Sequence, residues 1–270
     1  INASLNNMLH FTDRLLILSS GTAAGIIEKR DYDIGKIHRI LFQREFEELE
    51  KQPETSDRKL ILSLKNLKDA KYSHPVNLDI RQGEVTGVYS DFISGQNLFG
   101  MLLGKSKLDG EIWIDGKLIP ARRWTNPVRY GVGGMDRDPY RTSLFPNLSL
   151  RENLMIRSYR FYARFGILNW RLLNFISNEW GEIYKIPVRD TIDEMQNIDY
   201  LRNAAFPLIS WIAARPKVLV LHGIFETADE VELQVLSGLM QDCRERGIAV
   251  ICCLDRVYGF ENLFDTVYRL

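Results

Sequence analysis

A short apolar run near residue 220 most constrains how this chain can fold. Residues 217–224 read Lys-Val-Leu-Val-Leu-His-Gly-Ile, which is typical of a fully buried strand that runs straight into a loop. The mostly apolar segment 211–216, Trp-Ile-Ala-Ala-Arg-Pro, precedes it. The strand ends at His222 and Gly223, so the chemistry of these two residues bears directly on what the domain can do.

The residues after this strand alternate between helix and strand patterns. Apolar side chains between Val231 and Cys243 share one helix face, and Gly247 suits the end of that helix. Residues 248–254 form another apolar strand run. This order predicts a partly parallel α/β sheet.

The middle of the chain carries further strand and helix patterns. Strands are predicted at residues 60–67, 77–80, 85–89 and 110–116, the last ending in an Asp-Gly turn. Residues 98–103 begin like a helix. Residues 150–199 predict helices rich in arginine and aromatic side chains.

The first fifty residues form a separate part of the chain. Residues 11–18 predict a strand followed by a turn, and residues 34–50 predict an amphipathic helix. We therefore divide the chain into three parts: residues 1–52, a polar linker 53–59, and a second domain 60–270. Residues 263–270 resemble residues 11–18, as in a tandem array of large domains.

Composition argues against several classes of function. The chain has 35 basic and 35 acidic residues, so we expect no broad attraction to nucleic acid. Three cysteines, two of them adjacent in an apolar run, suit buried free thiols, and four scattered histidines give no metal spacing. No apolar run reaches the roughly 18–20 residues of a membrane helix. Work at a membrane therefore implies a partner.

Three sequence segments together resemble a known family: residues 110–116, 147–154 (Asn-Leu-Ser-Leu-Arg-Glu-Asn-Leu) and 211–221. Over nearly its whole length the chain resembles the second cassette, plus the tail of the first, of the tandem ATP-binding cassette (ABC) ATPases of ribose-, xylose- and galactose-type sugar importers. The resemblance implies an α/β nucleotide-binding domain with a mixed sheet, made of a parallel core and an antiparallel β-subdomain. A helical subdomain is expected at about residues 150–200.

The resemblance places the phosphate loop at residues 87–97. In such a loop, backbone amides surround the phosphates, a lysine neutralises them and a hydroxyl holds Mg²⁺. Gly87 and Gly95 follow the family pattern, and Ser94 is counted with the vestigial nucleotide-binding residues of the loop. Gln96, in contrast, stands at the lysine position and Asn97 at the hydroxyl position. A neutral amide does not balance the charge of a triphosphate. The alternative is a strand–loop–helix kept for packing alone.

Other positions of the loop and of the sheet also depart from the family. Asp91 adds repulsion toward phosphate, and Met135 stands where the family presents glutamine or glutamate toward Mg²⁺. His222 and Gly223 replace the aspartate and glutamate of the Walker B motif. A strand-end histidine is more often structural than a base. Asp255 stands at the switch position, where second cassettes often carry an acidic residue.

The signature motif of the family maps to residues 198–202. Asp199 stands at the serine position of the motif, and Tyr200 and Leu201 stand where the family has two glycines. The side chains of Tyr200 and Leu201 would obstruct a close approach to phosphate. Asp229 matches the aspartate that usually helps to join two cassettes.

Residues 157–171 are dense in arginine and aromatic side chains, and we predict a helix there. Such composition is favoured at protein interfaces, and in related importers this region lies beside the groove for the permease. Arg160, Phe161, Arg164 and Trp170 are therefore candidates for binding a partner. The alternative is an amphipathic helix packed on its own domain.

Loss of the lysine, the Mg²⁺ ligand and the water-positioning carboxylate predicts a pseudo-ATPase, because phosphoryl transfer depends on positioning and charge. We expect no catalytic residue, no metal site and weak or absent binding of ATP and Mg²⁺. The expected role is structural or regulatory, in the cytoplasm at the inner face of the membrane, with a permease or a partner cassette. One alternative is an importer subunit whose active residues come from another cassette. Another is a soluble adaptor in sugar signalling.

Overall fold

The chain separates into two compact units, Ile1–Lys51 and Gln52–Leu270. The computed structural model describes residues 13–19, 22–31, 57–69, 75–186, 188, 204–226, 228, 230–255 and 263–270. In the first unit, strand β1 (Arg14–Ser19) pairs antiparallel with strand β2 (Thr22–Glu28). The strand predicted within residues 11–18 is thus confirmed from Arg14 onward, and the helix predicted at 34–50 lies outside the described residues.

The second unit contains strands and helices that alternate along the chain. In chain order they are β3 (Leu60–Asp69), β4 (Val76–Arg81), β5 (Val85–Tyr89), α1 (Phe92–Leu102), β6 (Leu108–Ile114), β7 (Lys117–Pro120), β8 (Val132–Met135), α2 (Pro139–Ser143), α3 (Leu150–Met155), α4 (Tyr159–Tyr162), β9 (Ala163–Arg164), β10 (Ile167–Leu168), α5 (Trp170–Ile183), α6 (Ala205–Ala213), β11 (Val218–His222), α7 (Glu230–Glu245), β12 (Ala249–Leu254) and β13 (Thr266–Arg269). None of the described helices is long and apolar enough to cross a membrane.

Four of these strands form an antiparallel sheet in the order β4-β3-β6-β7. Buried and exposed residues alternate along β4, as expected for a strand with one face on the core. The turn at Asp115 and Gly116 joins β6 to β7, and both residues have positive φ, as a tight hairpin turn requires. The predicted antiparallel subdomain is confirmed.

The other large sheet is parallel, with the strand order β13-β5-β12-β11-β8. Every residue of β11 and of β12 is buried, because helices cover one face of the sheet and α1 packs on the other face together with the antiparallel strands. The predicted parallel core is therefore confirmed. Since all five strands run in one direction, the loops that follow β5, β8, β11 and β12 meet at a single edge of the sheet.

Two predicted features of secondary structure are wrong. Helix α1 begins at Phe92, well before the predicted residue 98, because the Asp91 side chain caps it. Residues 163–168 form the hairpin β9–β10 within the stretch predicted as helix. The hairpin turns at Phe165 and Gly166, which have φ of 51° and 80° and so cannot continue a helix.

The start of α3 explains the sequence segment 147–154, one of the three that carry the family resemblance. Ser149 caps the helix and Glu152 reaches back to the Ser149 amide, which forms a capping box. Asn153 is fully buried, accepts from the amide of Phe145, and donates to the carbonyl oxygens of Phe145, Leu148 and Ser149 at 2.9–3.1 Å. The hydrogen bonds of residues 147–154 therefore hold the loop that enters the helical region in place.

Asn153→Ala is expected to lower the free energy of unfolding by about 2–4 kcal/mol, because it leaves buried polar groups of this loop without their partner. Urea denaturation measures the change. The matched control is Asn126→Ala, since Asn126 is exposed and makes no capping hydrogen bond with its side chain. Equal effects of the two substitutions would contradict the assigned role of Asn153.

Candidate functional site

The candidate site lies at the edge where the parallel strands end. Five charged or titratable side chains meet there and are called the edge cluster: Asp136, Arg137, His222, Glu226 and Asp255. Nη2 of Arg137 lies 3.0 Å from Oδ2 of Asp255, and Nδ1 of His222 lies 3.6 Å from Oδ1 of Asp136. The amide of Asp255 donates to Oε1 of Glu226 at 2.9 Å. The loops after β8, β11 and β12 are thus joined by polar contacts.

The start of α1 is occupied by the side chain that precedes it. Oδ1 of Asp91 accepts from the amides of Ile93 and Ser94 at 3.0 and 3.1 Å, and Oδ2 accepts from the Ser94 hydroxyl at 2.6 Å. The Ser94 hydroxyl and amide lower the pKa of Asp91, because these bonds favour the charged carboxylate. Asp91 is predicted to repel phosphate. It also accepts hydrogen bonds from the amides that the predicted phosphate loop would present to an anion.

Residues 92–97 of the predicted phosphate loop fall within α1, whereas residues 87–89 belong to β5. Gly95 is buried, and a Cβ there would lie 3.1 Å from Oγ of Ser90 and 3.9 Å from Cδ2 of His222. Gly95 therefore lets the helix pack closely on the sheet edge. Gln96 is exposed and Asn97 is half-buried on the same helix.

His222 lies in the core and is only 1% exposed. Its ring stacks on Phe99 of α1, with ring centroids 5.4 Å apart. Burial lowers the pKa of His222 below its ordinary value, although the carboxylate of Asp136 opposes this shift. Neutral His222 therefore fills the space between helix and strand.

Gly223 makes room for Arg137. It has a φ of 67°, and a Cβ on it would lie 2.7 Å from Nε, 2.9 Å from Nη2 and 3.0 Å from Cβ of Arg137. The guanidinium group consequently lies beside the end of β11 and pairs with Asp255. Burial raises the pKa of nearby Glu226, while its bond from the Asp255 amide favours the charged form.

The remaining predicted positions divide into two groups. Met135 is buried, pairs in register with Leu221 and belongs to the hydrophobic core. Asp199, Tyr200, Leu201 and Asp229 lie outside the described residues. Within the described part of the chain, no group of three or more His, Cys, Asp or Glu side chains is arranged to hold a metal ion.

Three residues of the edge cluster were not predicted as site residues from the sequence: Asp136, Arg137 and Glu226. Asp136 and Arg137 follow directly after β8, whose end lies at the same edge as the end of β11. Charged residues immediately after a buried parallel strand were the available signal. Only the structure reveals that Arg137 reaches Asp255.

The candidate partner surface is formed by α4, the hairpin β9–β10 and the start of α5. Four apolar side chains, called the hairpin surface, are exposed here: Phe161 (51%), Phe165 (92%), Ile167 (76%) and Trp170 (52%). Arg160 stacks on Phe161 and donates to the carbonyl oxygen of Val128 at 3.1 Å. Arg164 lies in β9, and its side chain lies outside the described part of the structure.

Solved structures identify the fold. The chain is similar to cbiO1 of Clostridium perfringens, described as part of an ABC transporter complex, with a TM-score of 0.60 and 18% identity over 78% of this chain and 84% of that chain. An ATP-binding cassette of an ABC transporter in its ADP conformation gives a TM-score of 0.61 and 17% identity over 78% and 87% of the two chains. The fold is that of an ABC nucleotide-binding domain.

Curated relatives narrow this class. A putative ribose/galactose/methyl galactoside import ATP-binding protein of Geobacillus kaustophilus (strain HTA426) is 25% identical over 99% of this chain and 54% of its own length. A ribose import ATP-binding protein of Escherichia coli O157:H7 is 21% identical over 99% and 54%. A xylose import ATP-binding protein of Thermoanaerobacter pseudethanolicus (strain ATCC 33223 / 39E) is 20% identical over 93% and 52%. The homologues of this chain are thus sugar-import ABC ATP-binding proteins.

The chain spans about half the length of the curated relatives that it matches. No family model matches the chain. The resemblance to sugar-importer cassettes is confirmed by the relatives, and the α/β ABC-type fold is confirmed by the solved structures.

The burial of His222 predicts a pH dependence of stability. The unfolded chain takes up a proton near pH 6.5 that folded His222 resists, so stability is lost as the pH falls through the unfolded pKa. Between about pH 7.5 and about pH 5.5, the free energy of unfolding is expected to fall more steeply in the wild type than in His222→Gln. The difference in slope is at most about 1.4 kcal/mol per pH unit.

Denaturant unfolding across this pH range measures both slopes. Taking the difference between wild type and variant cancels the other three histidines. Parallel slopes would contradict the neutral, buried state assigned to His222.

Proposed function

We propose that this chain contains a non-hydrolysing ABC cassette that serves a sugar importer as a structural or regulatory subunit. The observation that carries the proposal is the start of α1, where Asp91 accepts from the amides of Ile93 and Ser94. The resemblance puts these amides where an active cassette presents donors to phosphate. The chain's own carboxylate occupies them.

The charges at the sheet edge support the same proposal. Gln96 is exposed and neutral at the position of the phosphate-binding lysine. His222 is buried against Phe99, and Gly223 carries no side chain to orient water. Phosphoryl transfer needs positive charge on the phosphates, a held Mg²⁺ and a positioned nucleophile. The described residues offer none of these three in the family's arrangement.

The partial length of the chain suits a piece of a tandem protein. The curated relatives are about twice as long as the matched region, and residues 1–51 form a compact unit of their own. We infer that residues 1–52 are the tail of a preceding cassette. The proposed location is the cytoplasmic face of the membrane, where importer cassettes meet their permeases.

Calorimetric titration with ATP tests the proposed lack of nucleotide chemistry. No binding heat is expected up to about 1 mM ATP, with or without Mg²⁺, which corresponds to a binding free energy weaker than about 4 kcal/mol. An active sugar-import cassette under the same conditions is the positive control. Binding at micromolar ATP would overturn the proposal.

An ATP-binding importer subunit is the second candidate function. The names of the relatives favour it, because all those compared are import ATP-binding proteins. In that case another cassette supplies the residues that act on ATP. Binding at micromolar ATP in the same titration would favour this second candidate over the first.

The hairpin surface is the proposed contact with the permease. Phe161, Ile167 and Trp170 are each more than half exposed, and Arg160 stacks beside them. Exposed aromatic residues next to arginine are typical of interface hot spots. Asp229 remains the proposed contact with a partner cassette.

Ile167→Ser and Trp170→Ser are each expected to weaken binding to the cognate permease about tenfold, because each removes an apolar anchor. Binding is measured on permease reconstituted in nanodiscs. Leu118→Ser is the matched control, since Leu118 is 49% exposed on β7 of the antiparallel sheet. If the control weakens binding as much as the hairpin variants do, the assigned surface is wrong.

A further inference from the structure

We propose that the chain's own charges close this edge of the sheet, with Asp91 holding the amides at the start of α1 and Arg137 filling the space beside Gly223. This inference rests on the proposed function, because a bound nucleotide would displace Asp91, Arg137 or both from these contacts. Beyond that function, Arg137 closes the space at the end of β11, and Gly223 permits this closure.

Asp91 forms the first half of the closure. Its carboxylate accepts three hydrogen bonds, from the two amides and the Ser94 hydroxyl. The start of the eleven-residue helix α1 favours a negative charge, and Asp91 supplies it from the adjoining residue. A free anion must displace a carboxylate that is covalently held in place, which gives the carboxylate a high effective concentration.

Arg137 forms the second half. Its Nε, Nη2 and Cβ all lie within 3.0 Å of the position that a Cβ on Gly223 would take. Any side chain at residue 223 must therefore push Arg137 away from its place. The ion pair with Asp255 at 3.0 Å holds the guanidinium group there.

The loops of the closed edge are also joined to one another. The amide of Ser90 donates to the carbonyl oxygen of Leu254 at 3.1 Å, and the amide of Gly223 donates to that of Cys253 at 3.3 Å. Glu226 accepts from the amide of Asp255. The ends of β5, β11 and β12 are therefore held together by contacts within the chain.

Two glycine substitutions test the Arg137 half without any nucleotide. Gly223 and Gly116 both have positive φ, at 67° and 75°, but a Cβ on Gly116 meets nothing within 4 Å. Both Gly→Ala substitutions carry the backbone cost, and only Gly223→Ala also meets Arg137. We expect Gly223→Ala to lower the folding equilibrium constant about tenfold more than Gly116→Ala does, as overpacking predicts.

The same pair of substitutions is then made in an Arg137→Ala background. The excess effect of Gly223→Ala is expected to shrink there, because only the Cβ of residue 137 remains in the way. An excess that is absent in the wild-type background, or unchanged by Arg137→Ala, would overturn this half. Because these measurements use denaturant and no ATP, they can fail while the proposed function stands, and the reverse also holds.

Inorganic phosphate probes the Asp91 half. In ¹⁵N-resolved NMR spectra, phosphate is expected to shift the amide signals of Ile93 and Ser94 in Asp91→Ala and to leave them in place in the wild type. Asp91→Asn keeps a capping oxygen without the charge and verifies that α1 still forms. Shifts in the wild type would overturn closure. Shifts in neither protein would overturn the claim that Asp91 is what keeps the anion out.

Discussion

Parallel pairing of β5, β12, β11 and β8 is the constraint on which the rest of the second unit depends. Every residue of β11 and β12 is buried, so the apolar side chains of these two strands stabilise the sheet. Because the strands share one direction, whatever follows them arrives at one edge. The scaffold therefore tolerates a change in the chemistry of that edge, as loops generally do when a rigid core positions them.

A sheet edge that faces a helix start still has polar groups to satisfy. Buried donors and acceptors in folded proteins are almost always hydrogen-bonded, and a helix start attracts negative charge. Asp91 meets the second requirement and the Arg137–Asp255 pair contributes to the first. On this view the departures that the resemblance predicts at Gln96, His222 and Gly223 belong together with Asp91 and Arg137. Gly223 leaves the space that Arg137 needs, and the buried neutral His222 fills the space between α1 and β11.

The strands could be predicted from sequence because apolar residues recur in them with a clear pattern, as in residues 217–222 and 248–254. The start of α1 could not, because it depends on one capping side chain, and the resemblance had assigned Asp91 to a loop. The hairpin at residues 163–168 was hidden because its direction changes at two residues with positive φ inside an arginine- and aromatic-rich stretch. Arg137 was missed since a side chain's reach across an edge leaves no periodic signal.

The hairpin β9–β10 contains a strained residue whose energetic cost is not offset by burial within the domain. A non-glycine residue in the left-handed region costs on the order of 1 kcal/mol, and Phe165 bears that cost while remaining 92% exposed. Burial of Phe165 and Ile167 within the domain does not repay it, because both side chains are largely in water. A surface bound by another molecule would recover this energy by burying the apolar side chains. The two regions therefore differ: contacts within the chain hold the sheet edge, whereas the apolar side chains of the hairpin are open to solvent, as the proposed contact with a partner requires.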